Sequence, residues 1–62
     1  MWDEWTKSLS DGRIVHYTLE FEPGQGGMIT AEVGEVTRTR AIRELMTRED
    51  VETPFKKLQV PR

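Results

Sequence analysis

Two stretches in the first half of the chain alternate apolar and polar side chains, as a β-strand with one buried face does. They are residues 13–22 (RIVHYTLEFE) and residues 28–33 (MITAEV). Between them PGQGG, residues 23–27, supplies a proline that presets φ and glycines that tolerate positive φ, which is typical of a turn. We predict a hairpin closed by this five-residue loop, with Phe21 opposite Ile29. The side chains expected to face inward are the odd-numbered ones, Val15, Tyr17, Leu19, Phe21, Ile29, Ala31 and Val33.

The segment before residue 13 has two interpretations. Its Asp-Gly dipeptide is a hairpin signal. A three-residue loop over 10–12 with a left-handed glycine pairs Trp5 with Tyr17 and puts Trp5 and Leu9 on the buried side, so we favour a strand. The alternative is a short helix, because Trp2, Trp5 and Leu9 also fall at helical spacing.

After the second of these strands the apolar spacing becomes helical. The apolar stripe comprises Ala41, Ile42, Leu45 and Met46. Thr37 or Thr39 can cap the start of such a helix, and TRED at residues 47–50 reads as a capping box that restarts it for one turn. The residue before Pro54 is disfavoured in helical conformation, so we predict a helix over residues 37–53.

The predicted fold is α+β. It consists of an antiparallel three-stranded β-meander over residues 1–34, one α-helix packed on its apolar face, and a C-terminal extended arm or fourth strand over residues 54–62. A chain of 62 residues makes one small domain at most, so we expect a single domain spanning residues 1–62.

Composition excludes several classes of function. Cysteine is absent and His16 is the one histidine, so we expect no disulfide, no metal site and no cofactor. No apolar run approaches the roughly 18 residues of a membrane span, and no signal peptide precedes the domain. We therefore expect a soluble cytoplasmic protein that has no membrane partner.

We expect no enzymatic activity and no small-molecule substrate. No serine or cysteine nucleophile is recognisably arranged around His16, and the glycine-containing loop lacks the Gly-Lys-Ser/Thr ending of a phosphate loop. Paired glutamates act as acid and base only when one of them is partly desolvated, which an open sheet face does not provide.

Charge is divided unevenly along the chain. Residues 1–35 carry seven acids and two bases, a balance of −5, whereas residues 36–62 carry seven bases and four acids, a balance of +3. Such halves can steer a partner or a second copy of the chain, so a homodimer is one expectation.

Three groups of side chains are the candidate binding residues. The predicted register puts the acids of the sheet on its solvent side, as a docking surface for a basic partner: Glu4, Glu20, Glu22 and Glu32. Tryptophan is enriched in binding hot spots, so Trp2 and Trp5 are candidate interface residues. A basic patch for phosphate or for an acidic protein is predicted from Arg38, Arg40, Arg43, Lys56 and Lys57.

The arginines of the predicted helix have two interpretations. On a helix Arg40, Glu44 and Arg48 are successive i, i+4 neighbours, so their charges pair along one flank as a salt-bridged solvent face. Three arginines also crowd the helix N-terminal end, which the helix dipole disfavours. Because nothing else explains this placement, the second interpretation is a nucleic-acid-binding site formed by these arginines and the basic C-terminal arm.

Residues 17–33 (YTLEFEPGQGGMITAEV) resemble the opening hairpin of HicB-type antitoxins, in which two strands joined by an acidic, glycine-containing turn precede a helix. The resemblance ends after Val33, where that family has a further strand and a glycine-cysteine segment. The order of three strands and a helix is also similar to the arm-type DNA-binding domains of phage-like integrases, which are basic where this sheet is acidic.

These observations favour a small non-catalytic regulatory or adaptor protein that acts through a protein–protein interface. The alternative is a nucleic-acid-binding regulator that uses the arginines and the basic arm. Exposed aromatics that stack bases are the mark of a sheet that binds RNA, and here Tyr17 and Phe21 are predicted to point inward.

Overall fold

The computed structural model of the chain describes residues 1–56. Within them the elements are β1 (Trp2–Ser8), β2 (Ile14–Glu22), β3 (Gly26–Val33), β4 (Val36–Ile42) and the helix α1 (Arg48–Glu52), which a 3₁₀ turn over Thr53–Phe55 follows. The strands form one antiparallel sheet in the order β1-β2-β3-β4. The α+β class is as predicted, but the meander has four strands instead of three and the helix is short.

The first hairpin has the predicted register. Trp5 lies opposite Tyr17, and the amide of Leu9 donates to the carbonyl of Arg13 at 2.8 Å, which closes a loop over 10–12. Gly12 has φ +91°. The N-terminal segment is therefore a strand, and the alternative of a helix there is wrong, because in the strand Trp5 stacks on Tyr17.

The second hairpin differs from the prediction by two residues. Phe21 lies opposite Gly27, not opposite Ile29. The loop is shorter because Pro23 and Gly24, the latter at φ +84°, already turn the chain, and β3 starts at Gly26. The amide of Gln25 donates to the carbonyl of Glu22 at 3.0 Å across this turn. A slip of two residues leaves every side chain on its predicted face, since the strand repeats every two residues.

The predicted helix over residues 37–53 is wrong for most of its length, because β4 occupies its first part. Gly34, with φ +57°, starts a two-residue turn that folds β4 back onto β3. Residues 36–42 also contain β-branched side chains, which suit a strand. Their alternation was hidden because Arg38 and Arg40 take the inward-facing positions that apolar residues hold in β2 and β3.

The helix α1 starts at the predicted capping threonine. Thr47 accepts a hydrogen bond from the amide of Asp50 at 3.1 Å. The α-helix ends at Glu52, within the predicted limit of residue 53, but Thr53 has helical dihedrals (φ −56°, ψ −49°), so the chain continues as a 3₁₀ turn and the expected non-helical conformation before Pro54 is wrong. Pro54 is tolerated because it stands in the first turn of the new helix, where its missing N–H is not needed. Of the predicted arm, residues 54 and 55 belong to this turn, and residues 57–62 lie outside the described part.

The core lies between the sheet and the helical segment. Its buried side chains are Val15, Tyr17, Leu19, Ile29, Ala31, Val33, Val51 and Phe55. The odd-numbered residues of β2 and β3 therefore face inward, as predicted, although Phe21 is only half-buried. Of the apolar stripe assigned to the helix, Ile42 and Met46 pack against the core, while Leu45 is 57% exposed. None of the helices in residues 1–56 is long and apolar enough to span a membrane.

Candidate functional site

The helical segment packs on one face of the sheet, against β1 and β2, and the other face carries the acids. The even-numbered side chains of β1, β2 and β3 point away from the core. We call this surface the acidic sheet face, and its four carboxylates, all exposed, are Glu4, Glu20, Glu22 and Glu32. The predicted grouping of the glutamates on one side of the sheet is therefore what the structure shows.

Exposed apolar side chains cross the acidic sheet face in one row. Trp2, Glu20, Met28 and Ala41 are consecutive partners across the four strands. Trp2 is 60% and Met28 is 50% exposed, and they flank the carboxylate of Glu20. At the other end of the face Ile14 is 58% exposed.

Sequence reasoning did not assign Met28, Ala41 or Ile14 to a site. Met28 and Ile14 have even residue numbers, like the four glutamates of the acidic sheet face. This shared alternation could have placed them on the same face from the sequence. Ala41 was not recognisable in this way, since it had been assigned to a helix.

The middle of the acidic sheet face is uncharged. Thr18, Thr30 and Thr39 form a row across three strands beside Glu4 of β1. The Nε2 of His16 lies 2.7 Å from a carboxylate oxygen of Glu4. Short polar side chains leave this part of the sheet level, so a partner can approach the backbone closely while the acids surround the contact.

Trp5 lies on the covered face and holds the helical segment. Its ring stacks on Tyr17 with centroids 5.4 Å apart, and the guanidinium of Arg48 lies 4.9 Å above the Trp5 ring centroid. The indole Nε1 donates to Glu52 at 3.0 Å. Of the two predicted interface aromatics, Trp2 is thus exposed on the acidic sheet face, whereas Trp5 packs against Tyr17 and the helical segment.

Two ion pairs flank Trp5 and join β1 to α1. Arg48 donates two hydrogen bonds of 2.9 Å to Asp3, which hold the pKa of the Asp3 carboxyl below its usual value. Lys7 donates to Glu52 at 2.9 Å, and this bond lowers the pKa of Glu52 and raises that of Lys7. The two pairs link residues 45 positions apart in the chain.

The structure does not bring the predicted basic patch together. Arg38 and Arg40 lie on β4, with their side chains on the side of the sheet that carries the helix, and both are exposed. We call them the basic edge. Arg43 follows β4 and lies beside Gly26 at the loop between β2 and β3. Lys57 is outside the described residues.

Lys56 belongs to the opposite side of the molecule. It lines a surface depression of about 390 Å³ together with Lys7 of β1. Three strand spacings, roughly 14 Å, separate β1 from β4. The described cations of the predicted patch are therefore divided between the two edges of the sheet.

The expected salt-bridged flank of Arg40, Glu44 and Arg48 is wrong. Arg40 lies in a strand, and Arg48 pairs with Asp3. Within residues 1–56 no ion pair links Arg38, Arg40 or Arg43 to a carboxylate.

No group of three or more acidic or histidine side chains in the described part of the chain could hold a metal ion.

Comparison with known proteins gives no relative: the chain matches no family model, no curated protein and no solved structure.

Proposed function

We propose that this chain is a small non-catalytic adaptor that binds a basic surface of a partner protein through the acidic sheet face. The observation that carries the proposal is the row across the sheet, in which the exposed Trp2 and Met28 flank Glu20. Exposed large apolar side chains surrounded by polar ones are typical of interaction sites, and tryptophan is typical of their energetic centre.

The charges on this face set the class of partner. Four carboxylates share the surface with the imidazole of His16. A patch of one sign accelerates association with a patch of the opposite sign and rejects partners of like sign. Lysine and arginine side chains of a partner also have apolar stems, which can pack on Trp2 while their charged ends reach Glu20.

The size of the face sets the expected affinity. Strands of seven to nine residues at about 3.4 Å per residue, in four strands about 4.8 Å apart, give a projected area of roughly 400 Å². Stable complexes usually bury about 800 Å² on each partner. We therefore expect a transient complex that weakens with salt, because exposed charges are screened at high ionic strength.

The test uses two variants that remove the same charge from different surfaces. The face variant carries Glu20→Gln, Glu22→Gln and Glu32→Gln. The control variant carries Glu35→Gln, Glu44→Gln and Glu49→Gln, all exposed positions away from the acidic sheet face. Each is titrated by NMR with a peptide rich in lysine and arginine that contains one aromatic residue.

We expect the wild type and the control variant to bind this peptide, with shifts confined to the even-numbered residues of β1, β2 and β3. The face variant should lose binding, and Trp2→Ala should weaken it. Equal binding by the face and control variants would show that net charge alone attracts the peptide, and it would refute the proposal.

A further inference from the structure

The strand β4 is an edge strand, and within residues 1–56 no other strand pairs with its outer backbone groups. Because a two-residue turn joins β3 and β4, Val33 and Val36 form a hydrogen-bonded pair. The backbone groups of Val36, Arg38, Arg40 and Ile42 then point toward β3. Those of the alternate residues point outward, namely those of Thr37, Thr39 and Ala41. A side-chain contact agrees with this alternation, since Arg38 Nη1 donates to the carbonyl of Thr37 at 3.2 Å.

The helical segment leaves the basic edge uncovered. It packs against β1 and β2, through Arg48 on Trp5 and Lys7 on Glu52. On β4, by contrast, the side chains on the same side of the sheet are exposed at Val36, Arg38 and Arg40. No carboxylate within residues 1–56 pairs with either arginine, and residues 57–62 contain no Asp or Glu.

The charges of Arg38 and Arg40 determine which kind of strand can add to the edge of β4. Two copies of β4 paired antiparallel about Thr39 would set Arg38 of each copy opposite Arg40 of the other, and like charges directly opposite destabilise a sheet. Charged side chains on an edge strand thereby prevent chains from associating through their edges. The same charges favour a strand that brings carboxylates to those positions.

We propose that β4 binds an extended acidic peptide as a fifth strand. The backbone of the peptide bonds to Thr37, Thr39 and Ala41, and two of its carboxylates, two residues apart, lie beside Arg38 and Arg40. Apolar residues at the next alternate positions of the peptide face Val36, which is 41% exposed, and the half-buried Ile42. The partner is thus an alternating segment of the form apolar-x-acidic-x-acidic-x-apolar, where x is any residue except proline.

This site is separate from the acidic sheet face, and the two have partners of opposite charge. Loss of one activity therefore leaves the other measurable, and the variants that test them do not overlap.

The probe is the capped synthetic peptide Val-Thr-Glu-Thr-Glu-Thr-Val, titrated into the full chain by calorimetry and by NMR. One control peptide replaces both glutamates with glutamine, which removes the charge without creating a ligand for the acidic sheet face. A second has the same composition with its two glutamates adjacent, so that they cannot both lie beside the arginines. A third is methylated at the backbone amides that would face β4.

We expect the probe to bind and all three controls to bind at least about tenfold more weakly, since losing one charge-assisted hydrogen bond costs about that factor. The double variant Arg38→Gln with Arg40→Gln should lose binding, whereas Arg13→Gln with Lys56→Gln, which removes the same charge elsewhere, should keep it. The outward amides of Thr37, Thr39 and Ala41 should gain protection from hydrogen exchange in the complex.

Three outcomes would overturn the proposal. The first is equal binding of the probe and the methylated peptide, which would leave no role for backbone pairing. The second is unchanged binding by the Arg38 and Arg40 double variant. The third is failure of the probe to bind while a short DNA duplex binds, loses affinity steeply with salt, and depends on the same arginines, which would make the edge a nucleic-acid site.

Discussion

Replacing each tryptophan separately distinguishes a side chain that holds the fold from one that meets a partner. Trp5 is half-buried between Tyr17 and Arg48, whereas Trp2 is 60% exposed on the acidic sheet face. We expect Trp5→Ala to destabilise the protein strongly and Trp2→Ala to change its stability by less than about 0.5 kcal/mol, as is usual for surface positions.

The contacts of Trp5 set the size of the effect. The stacked pair with Tyr17 is worth about 0.5–1.5 kcal/mol, and the arginine above the ring about 0.5–1 kcal/mol. The hydrogen bond from Nε1 to Glu52 adds about 1.5–3 kcal/mol because its acceptor is charged. Truncating a buried tryptophan costs about 3–5 kcal/mol in total, so about 3 kcal/mol is expected for a half-buried one.

That loss approaches the whole stability of a domain this small, which is about 3–5 kcal/mol. Trp5→Ala should therefore keep at most about 2 kcal/mol of stability and be partly unfolded at 25 °C. Trp5→Phe keeps an aromatic ring against Tyr17 but removes the hydrogen-bond donor and part of the indole, so we expect it to lose about 1.5–3 kcal/mol, with a melting temperature lowered by roughly 4–8 °C per kcal/mol.

The assay is urea denaturation followed by far-UV circular dichroism, because tryptophan fluorescence changes when a tryptophan is removed. The order of stability should be wild type and Trp2→Ala first, then Trp5→Phe, then Trp5→Ala. If Trp5→Ala lost less than about 1 kcal/mol, the packing role assigned to Trp5 would be wrong. The role of Trp2 in peptide binding is measured separately.

Two further predictions concern pH and the second hairpin. Hydrogen bonds from Arg48 and Lys7 lower the pKa values of Asp3 and Glu52 in the folded state, so the unfolded chain binds more protons in acid. Their contribution to stability should be complete above the ordinary values of 3.8 and 4.5 and be lost as the pH falls through the lowered ones. The dependence of the urea midpoint on pH should be flatter in Asp3→Asn, and an identical acid dependence would contradict this account. A Cβ added at Gly27 would overlap the backbone carbonyl oxygen of Glu20, so Gly27→Ala should cost about 1–3 kcal/mol in the same denaturation assay, and a wild-type midpoint would show that the strands can separate to accommodate it.

The alternation of side chains was sufficient to predict which residues of β2 and β3 face the core. It was not sufficient to fix their register, because the pairings of Phe21 with Ile29 and with Gly27 bury the same side chains. The short turn at Pro23 and Gly24 decides between them, and it is as compatible with the sequence as a five-residue loop. The faces of the glutamates were therefore predictable, whereas their individual neighbours were not.

The sequence by itself determined the alternating faces of β2 and β3 and the capped turn at Thr47, because each depends on residues close together in the chain; it favoured the first hairpin without excluding a helix there. Only the tertiary structure decided that residues 36–42 form a strand, since the free edge of β3 offers them a hydrogen-bonded partner that no local pattern shows. The placement of α1 was decided in the same way, by pairs such as Asp3 with Arg48 that lie 45 residues apart. The basic edge is a consequence, because a strand sets Arg38 and Arg40 side by side on an edge where a helix would have turned them apart.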